Sequence, residues 1–151
     1  DSASRVVSNW EGDGTPNTST ARATVKVRTV AETEETMQLE YQDTLEVSDG
    51  NGPVDALAGA LMRALLPAHP ALNSIELVDY KVRILDPQSA TGAATRVMIE
   101  FKDTSSEKKW TTVSVDTNVI SASLNALVDG FEYALIEHTQ SCMLCDDAYD
   151  L

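Results

Sequence analysis

The order strand, strand, strand, helix can be read twice along this chain, and that duplication constrains the fold more than any single motif does. In the first half, residues 4–10 predict a short strand, and residues 11–20, rich in Gly, Pro, Asn and Thr, a loop. Ala23, Val25 and Val27 then alternate with Thr24, Lys26 and Arg28, the period of a half-buried strand. A turn over residues 31–36 leads to Leu39, Tyr41, Leu45 and Val47, whose even spacing predicts a third strand with these residues inward, interrupted there only at Asp43. A helix follows. Val54, Leu57, Ala58, Leu61 and Leu65 make its apolar stripe, Asp55, Gly59 and Arg63 face away, and Pro67 and Pro70 end it.

The second half repeats the order. Strands are predicted over 75–85, 94–101 and 110–115, with a turn over 86–92 and a polar hairpin loop over 102–109. A long helix carries Ile120, Leu124, Leu127, Phe131 and Leu135 on one face and Ser121, Asn125, Asp129 and Glu132 opposite. Residues repeat as well as order: Ala23-Thr24-Val25-Lys26-Val27 resembles Ala94-Thr95-Arg96-Val97-Met98. Asp49-x-Asn51 and Asp116-x-Asn118 open the two helices, with Leu57 and Leu124 at the same offset beyond. The expected fold is α+β: two βββα units related by a pseudo-twofold axis, each a three-stranded antiparallel sheet with a packed helix. The units should cover about 3–68 and 73–137 of one domain spanning 1–137, with a loosely held polar tail over 138–151. Neither half buries much alone, so they are expected to pack on each other and on a second chain.

Charge narrows the function. With 24 acidic residues against 11 Lys and Arg, the net charge of -13 argues against nucleic acid and anionic membrane surfaces as partners. No stretch approaches the roughly 20 apolar residues of a membrane helix, and a soluble protein is expected. The acidic run from Glu32 to Asp49 reads as a solvated strand face and turn. Cys142 and Cys145 form a lone CxxC in polar surroundings, without the further ligands of a zinc site or the strand before a redox motif. The sequence begins at Asp1 with no signal-like segment after it, so it reads as a fragment or processed piece, and Asn17-Thr18-Ser19 is discounted as a glycosylation acceptor. His69 and His138 stand apart from other ligands, and no GxSxG, HExxH, GxxxxGK[ST] or GxGxxG motif occurs. No catalytic residue and no metal ligand is assigned, and this chain alone is not expected to be an enzyme. A cytoplasmic setting, or a plastid stroma in a photosynthetic eukaryote, fits reduced cysteines.

The most informative segment is Gly50-Asn51-Gly52-Pro53-Val54-Asp55. Small residues ahead of a helix let a ligand reach its first free amides, where the partial positive charge favours a carboxylate. A plain capping turn is the commoner use of such residues. The segment also carries a resemblance. Gly50 to Ala56, then Leu77-Val78-Asp79-Tyr80-Lys81-Val82-Arg83-Ile84-Leu85-Asp86, then Val113 to Leu135, are similar to the C-terminal regulatory domain of the isopropylmalate synthase and citramalate synthase family. The likeness covers most of residues 3–137. Asp79 to Arg83 and Ala126-Leu127-Val128-Asp129-Gly130-Phe131-Glu132-Tyr133 resemble the citramalate branch more closely.

The resemblance implies a homodimeric sensor attached to a catalytic barrel that condenses acetyl-CoA with a 2-oxo acid. It implies a branched-chain amino acid as feedback effector, isoleucine foremost and leucine next, with a dimerisation module lacking any ligand as the alternative. No cofactor is implied for this chain; the divalent metal and acetyl-CoA belong to the catalytic domain. The effector would lie between the two units near the dimer interface. The residues implied are Gly52, Pro53, Val54 and Asp55 at the turn, Leu77, Tyr80 and Ile84 along a strand, Thr91 and Ala93 across the hairpin, and Val115 before the second helix. Exposed amides would take the carboxylate and Asp55 or main-chain carbonyls the ammonium, with Leu77, Ile84, Ala93 and Val115 as the apolar wall. For Leu77, Ile84 and Val115 a core position competes with that role.

Overall fold

The computed structural model describes residues 5–8, 20–32, 39–86, 88 and 92–146. The chain divides into two compact units, Asp1–Ala68 and His69–Leu151. The expected α+β class and the two three-stranded antiparallel sheets with packed helices are present. Thr91, most of the 11–20 loop and residues 147–151 lie outside the described residues.

In unit 1 the strands β1 (Arg5–Ser8), β2 (Ala21–Glu32) and β3 (Leu39–Gly50) form an antiparallel sheet in chain order. Helix α1 (Pro53–Leu65) packs on β2 and β3. Ala21, Ala23 and Val25 meet Ala56, Leu57, Ala60, Leu61 and Ala64, all buried. Two expectations are corrected here. Register pairs Ala23 with Ser48 and Val25 with Glu46, so directly opposed residues put Ser48, not Val47, under the helix. Tyr41, Leu45 and Val47 therefore lie on the outer face and are exposed. Gly59 does not face away: a Cβ there would come within 2.5 Å of the Ser48 hydroxyl, so the missing side chain is what lets α1 sit close to β3.

In unit 2 a 3-10 turn (Pro70–Ser74) precedes β4 (Ile75–Ile84), β5 (Thr95–Asp103) and β6 (Lys109–Asp116), again antiparallel in chain order. A bulge between Leu77 and Asp79 leaves Val78 without a cross-strand partner and restores Tyr80 opposite Ile99. Helix α2 (Val119–Asp146) packs on β5 and β6. Its buried line is Ala122, Ser123, Ala126, Leu127, Gly130, Phe131 and Ala134. Ile120, Leu124 and Leu135, expected on that face, are only half-buried at its margins. Small residues occupy the line because the helix comes so near the sheet that a Cβ on Gly130 would stand 2.2 Å from the Phe101 ring. Three side chains stitch the helix down: Tyr80 shares a hydrogen bond with Ser123 (3.0 Å), Thr112 donates to the Ala126 carbonyl (2.7 Å) and the Trp110 indole to that of Gly130 (3.2 Å).

Two more expectations change. Residues 138–146 belong to α2 rather than to a loose tail; Thr139 donates to the Leu135 carbonyl, and Cys142 and Cys145 fall on the last turns. Val119–Thr139, 21 residues, is also long and apolar enough to cross a membrane, with a mean hydropathy of 1.3 over an 18-residue window. Its buried line packs on the sheet, while Val119, Tyr133 and Ile136 are exposed, as are Asn125, Asp129 and Glu132 along the same span.

Candidate functional site

The two Asp-x-Asn turns differ by one residue in their relation to the helices they precede. Pro53, with φ already fixed and no N–H to lose, takes the first helical position of α1 and makes Gly52 the N-cap. The Ala56 amide bonds the Gly52 carbonyl as the Ala122 amide bonds that of Asn118, so Gly52 corresponds to Asn118 and Asn51 falls one place too early. Asn118 caps α2, its side-chain oxygen accepting from the Ile120 amide at 2.9 Å and the Ser121 amide at 3.4 Å. At α1 no side chain caps the helix. Its first-turn amides are left to solvent or a ligand.

Neighbouring groups shape that opening. The Asn51 amide donates to Asp55 Oδ2 at 2.9 Å, so one oxygen of the expected ammonium acceptor serves the turn itself. Gly50 is required by close approach: a Cβ there would meet the Ala56 amide nitrogen at 2.5 Å. Gly52 is extended (φ -160°, ψ 172°) with nothing within 4 Å of where its Cβ would be. Asp49 is held by Arg22 through two hydrogen bonds of 2.6 and 3.0 Å, which lower its carboxyl below the ordinary value against a smaller opposing effect of burial. That ion pair takes the Asp49 charge away from the helix start.

In unit 2, Leu77, Tyr80 and Ile84 share the helix-side face of β4, opposite Phe101, Ile99 and Thr95. Because α2 sits over β5 and β6, the face of β4 beyond Tyr80 is thinly covered: Val82 is 44% exposed and Ile84 55%. Val82 belongs to this apolar strip and was missed from sequence; its even spacing from Tyr80 and Ile84 was the available signal. Ala93 is buried just before β5. Val115 pairs with Arg96 and so lies on the opposite face of the sheet from Leu77, Tyr80 and Ile84. The structure thus brings Gly52 to Asp55 together, and separately Leu77, Tyr80 and Ile84, but not Val115 with the latter.

A cleft of about 280 Å³ opens elsewhere in unit 2, lined by Asp103, Lys108, Trp110, Glu137 and His138 among others, none of them an expected site residue. Asp103 anchors it. Burial works against its charge, but hydrogen bonds from the Ser105 amide and the Ser105 and Ser106 hydroxyls outweigh that and hold its carboxyl well below the usual range. A depressed folded-state value means the stabilisation is complete above the unfolded carboxylate value near pH 4 and is lost as the pH falls below it. Asp103→Asn is expected to cost about 1–3 kcal/mol at pH 7. The gap to wild type should narrow toward about pH 2.5 in thermal melts; a gap independent of pH would show that the charge is not what stabilises.

Residues 9–135 match the family described as LeuA allosteric (dimerisation) domain. The chain is 48% identical over 94 residues to an (R)-citramalate synthase of Synechocystis sp., a match covering 62% of this chain and 17% of that protein. An (R)-citramalate synthase of Aquifex aeolicus is 42% identical over 113 residues (74% and 21%), and a 2-isopropylmalate synthase of the same organism 32% over 105 (67% and 18%). The matches span about a fifth or less of those relatives' length. The citramalate likeness is the stronger, and this chain belongs to the LeuA allosteric (dimerisation) domain family.

Proposed function

We propose that this domain senses a branched-chain amino acid, isoleucine foremost and leucine next, and passes its occupancy to a citramalate-forming catalytic region for feedback inhibition. The observation that carries the reading is the uncapped, open start of α1, where Asn118 of α2 has no counterpart. Free amides at a helix N-terminus suit the carboxylate that every amino acid carries. The relatives' names support the citramalate assignment. Among the described residues no group of three or more His, Cys, Asp or Glu is gathered as a metal would need. In this reading the divalent metal and acetyl-CoA of that condensation belong to the catalytic region, and the setting is the cytoplasm or plastid stroma.

Coupling between effector and substrate is reciprocal and typically worth about 1–3 kcal/mol. Isoleucine and leucine differ only in methyl placement, worth about 1–3 kcal/mol at most, so leucine is expected to bind 10- to 100-fold more weakly rather than not at all. Titration calorimetry of the folded chain with isoleucine, leucine and valine tests this. No heat at millimolar ligand would leave a dimerisation module without an effector.

A further inference from the structure

Basic side chains in this protein are matched within the chain, with two exceptions that stand together. Arg22 pairs with Asp49, Lys26 and Arg28 with Asp43, Lys102 with Glu107 and Lys108 with Glu137, and Arg63 donates to the Val47 carbonyl at 2.9 Å. Among the described residues, the guanidinium groups with neither an ion pair nor a hydrogen bond are those of Arg83 and Arg96. They lie directly opposite one another on β4 and β5, on the face of the sheet turned away from α2. Arg83 is exposed; Arg96 is half-buried, with its Nε buried and without a partner.

Both features cost stability. Like charges directly opposed across a sheet repel, and a buried N–H without an acceptor forfeits the hydrogen bond it made in water. A chain of net charge -13 has carboxylates that would relieve both, yet those nearby are engaged or distant. Asp116 accepts from the Asn118 amide at 2.8 Å and Asp86 from the Gln88 amide at 3.3 Å, each closing a turn. Asp79 and Glu100, the nearest described acids on the same face, lie four residues along their strands. That is about 13 Å at roughly 3.3 Å per residue.

From this we infer that Arg83 and Arg96 form a binding site for a compact oxyanion carrying two negative charges, of the phosphoryl or dicarboxylate class. Directly opposed residues hold their Cβ atoms about 4.5–5.5 Å apart, so two planar guanidinium forks converge on one group and each donates in pairs. A single negative charge would leave one arginine unneutralised; two match both. Lys81 supplies a third cation, because it follows Arg83 along the same face, beside Met98. Its ion pair with Asp79 is exposed on both sides and exchanges readily. The chain as a whole repels anions, so affinity rests on these contacts, and binding in the millimolar range is expected. The site lies wholly within unit 2 and stands whether or not an amino acid binds at the start of α1.

Nitrogen-15 labelled chain tests this through the arginine Nε–H resonances, assigned from the signals missing in the variants. Sodium phosphate, at a pH where it is mostly dianionic, or sodium malonate is added while sodium chloride holds the ionic strength constant. Saturable shifts of the Arg83 and Arg96 signals are expected, with that of Arg22 unmoved. Arg83→Gln and Arg96→Gln should each weaken phosphate binding at least about tenfold. Tighter phosphate binding assigns a phosphoryl ligand and tighter malonate binding a dicarboxylate; either supports the site. No saturable shift with either anion at tens of millimolar, equal shifts at Arg22, or unchanged affinity in the variants would each overturn it. Should Arg96→Gln fail to fold, Arg83→Gln decides alone, since its side chain is exposed.

Discussion

Phe101→Ala is expected to destabilise the chain by about 3–5 kcal/mol, the largest loss from any single truncation. Among the described residues, Phe101 is the largest side chain that is fully buried. Its ring stacks on Trp110 at 5.7 Å and 9° and meets Phe131 edge-on at 5.7 Å, so sheet and helix converge on it. The same ring fills the space over Gly130. Gly130→Ala gains about 1 kcal/mol of helix propensity, yet its methyl would overlap a ring with nowhere to retreat. A net loss of about 2 kcal/mol is expected from overpacking. The two substitutions share one volume, so their effects cannot add: truncating the ring makes room for the methyl, and the double variant should be more stable than the sum of the singles by at least about 1 kcal/mol. Urea unfolding of the four chains measures this cycle, and strict additivity would place Gly130 away from the ring.

What could be read from sequence, and what could not, divides along physical lines. The duplicated strand order and the α+β class were legible because period-two and period-3.6 patterns report which element forms. The faces were harder. In both helices the buried line runs through Ala, Gly and Ser, beside the large apolar residues expected there: Ala56, Ala60 and Ala64 in α1, Ala122, Ala126 and Gly130 in α2. Hydrophobicity scoring favours leucine, whereas a helix lying close to a sheet is admitted by smallness. The β3 face failed for a related reason. Tyr41, Leu45 and Val47 look like a core edge, but register with β2 is a long-range property, and it puts Ser48 beneath Gly59 instead. The tail was misjudged because polar composition does not end a helix that no Pro or Gly interrupts, and residues 138–146 contain neither. The inequality of the two Asp-x-Asn strings was legible: glycines and a Pro53 suited to the first helical position mark the first copy as open, and side chains mark the second as a cap. The structure has Pro53 at the first helical position and Asn118 as the cap, so the two helices start one residue apart relative to their strings.

That one-residue offset leads to the substitution expected to act most on function. Gly52→Asp should abolish amino-acid binding, by at least about 100-fold in affinity, while leaving the fold intact. Retention of the fold follows from geometry. The N-cap backbone at φ -160° is extended and open to any residue, and a Cβ there meets nothing within 4 Å. An aspartate in that position accepts from the amides of the first turn as Asn118 does in α2, and N-cap carboxylates stabilise helices by about 0.5–2 kcal/mol relative to uncapped ones. The melting temperature should therefore hold or rise. Loss of binding follows from the same contact, because the new carboxylate occupies the amides and the positive helix end that the ligand's carboxylate would use. Gly52→Ala separates charge from bulk: it adds a methyl into open space without an acceptor and should bind within about threefold of wild type, an effect below about 0.7 kcal/mol. Calorimetry on the two variants gives opposite expectations for similar folds. Wild-type affinity in Gly52→Asp would remove the effector's carboxylate from the start of α1, whereas equal loss in both variants would assign the effect to space rather than to charge.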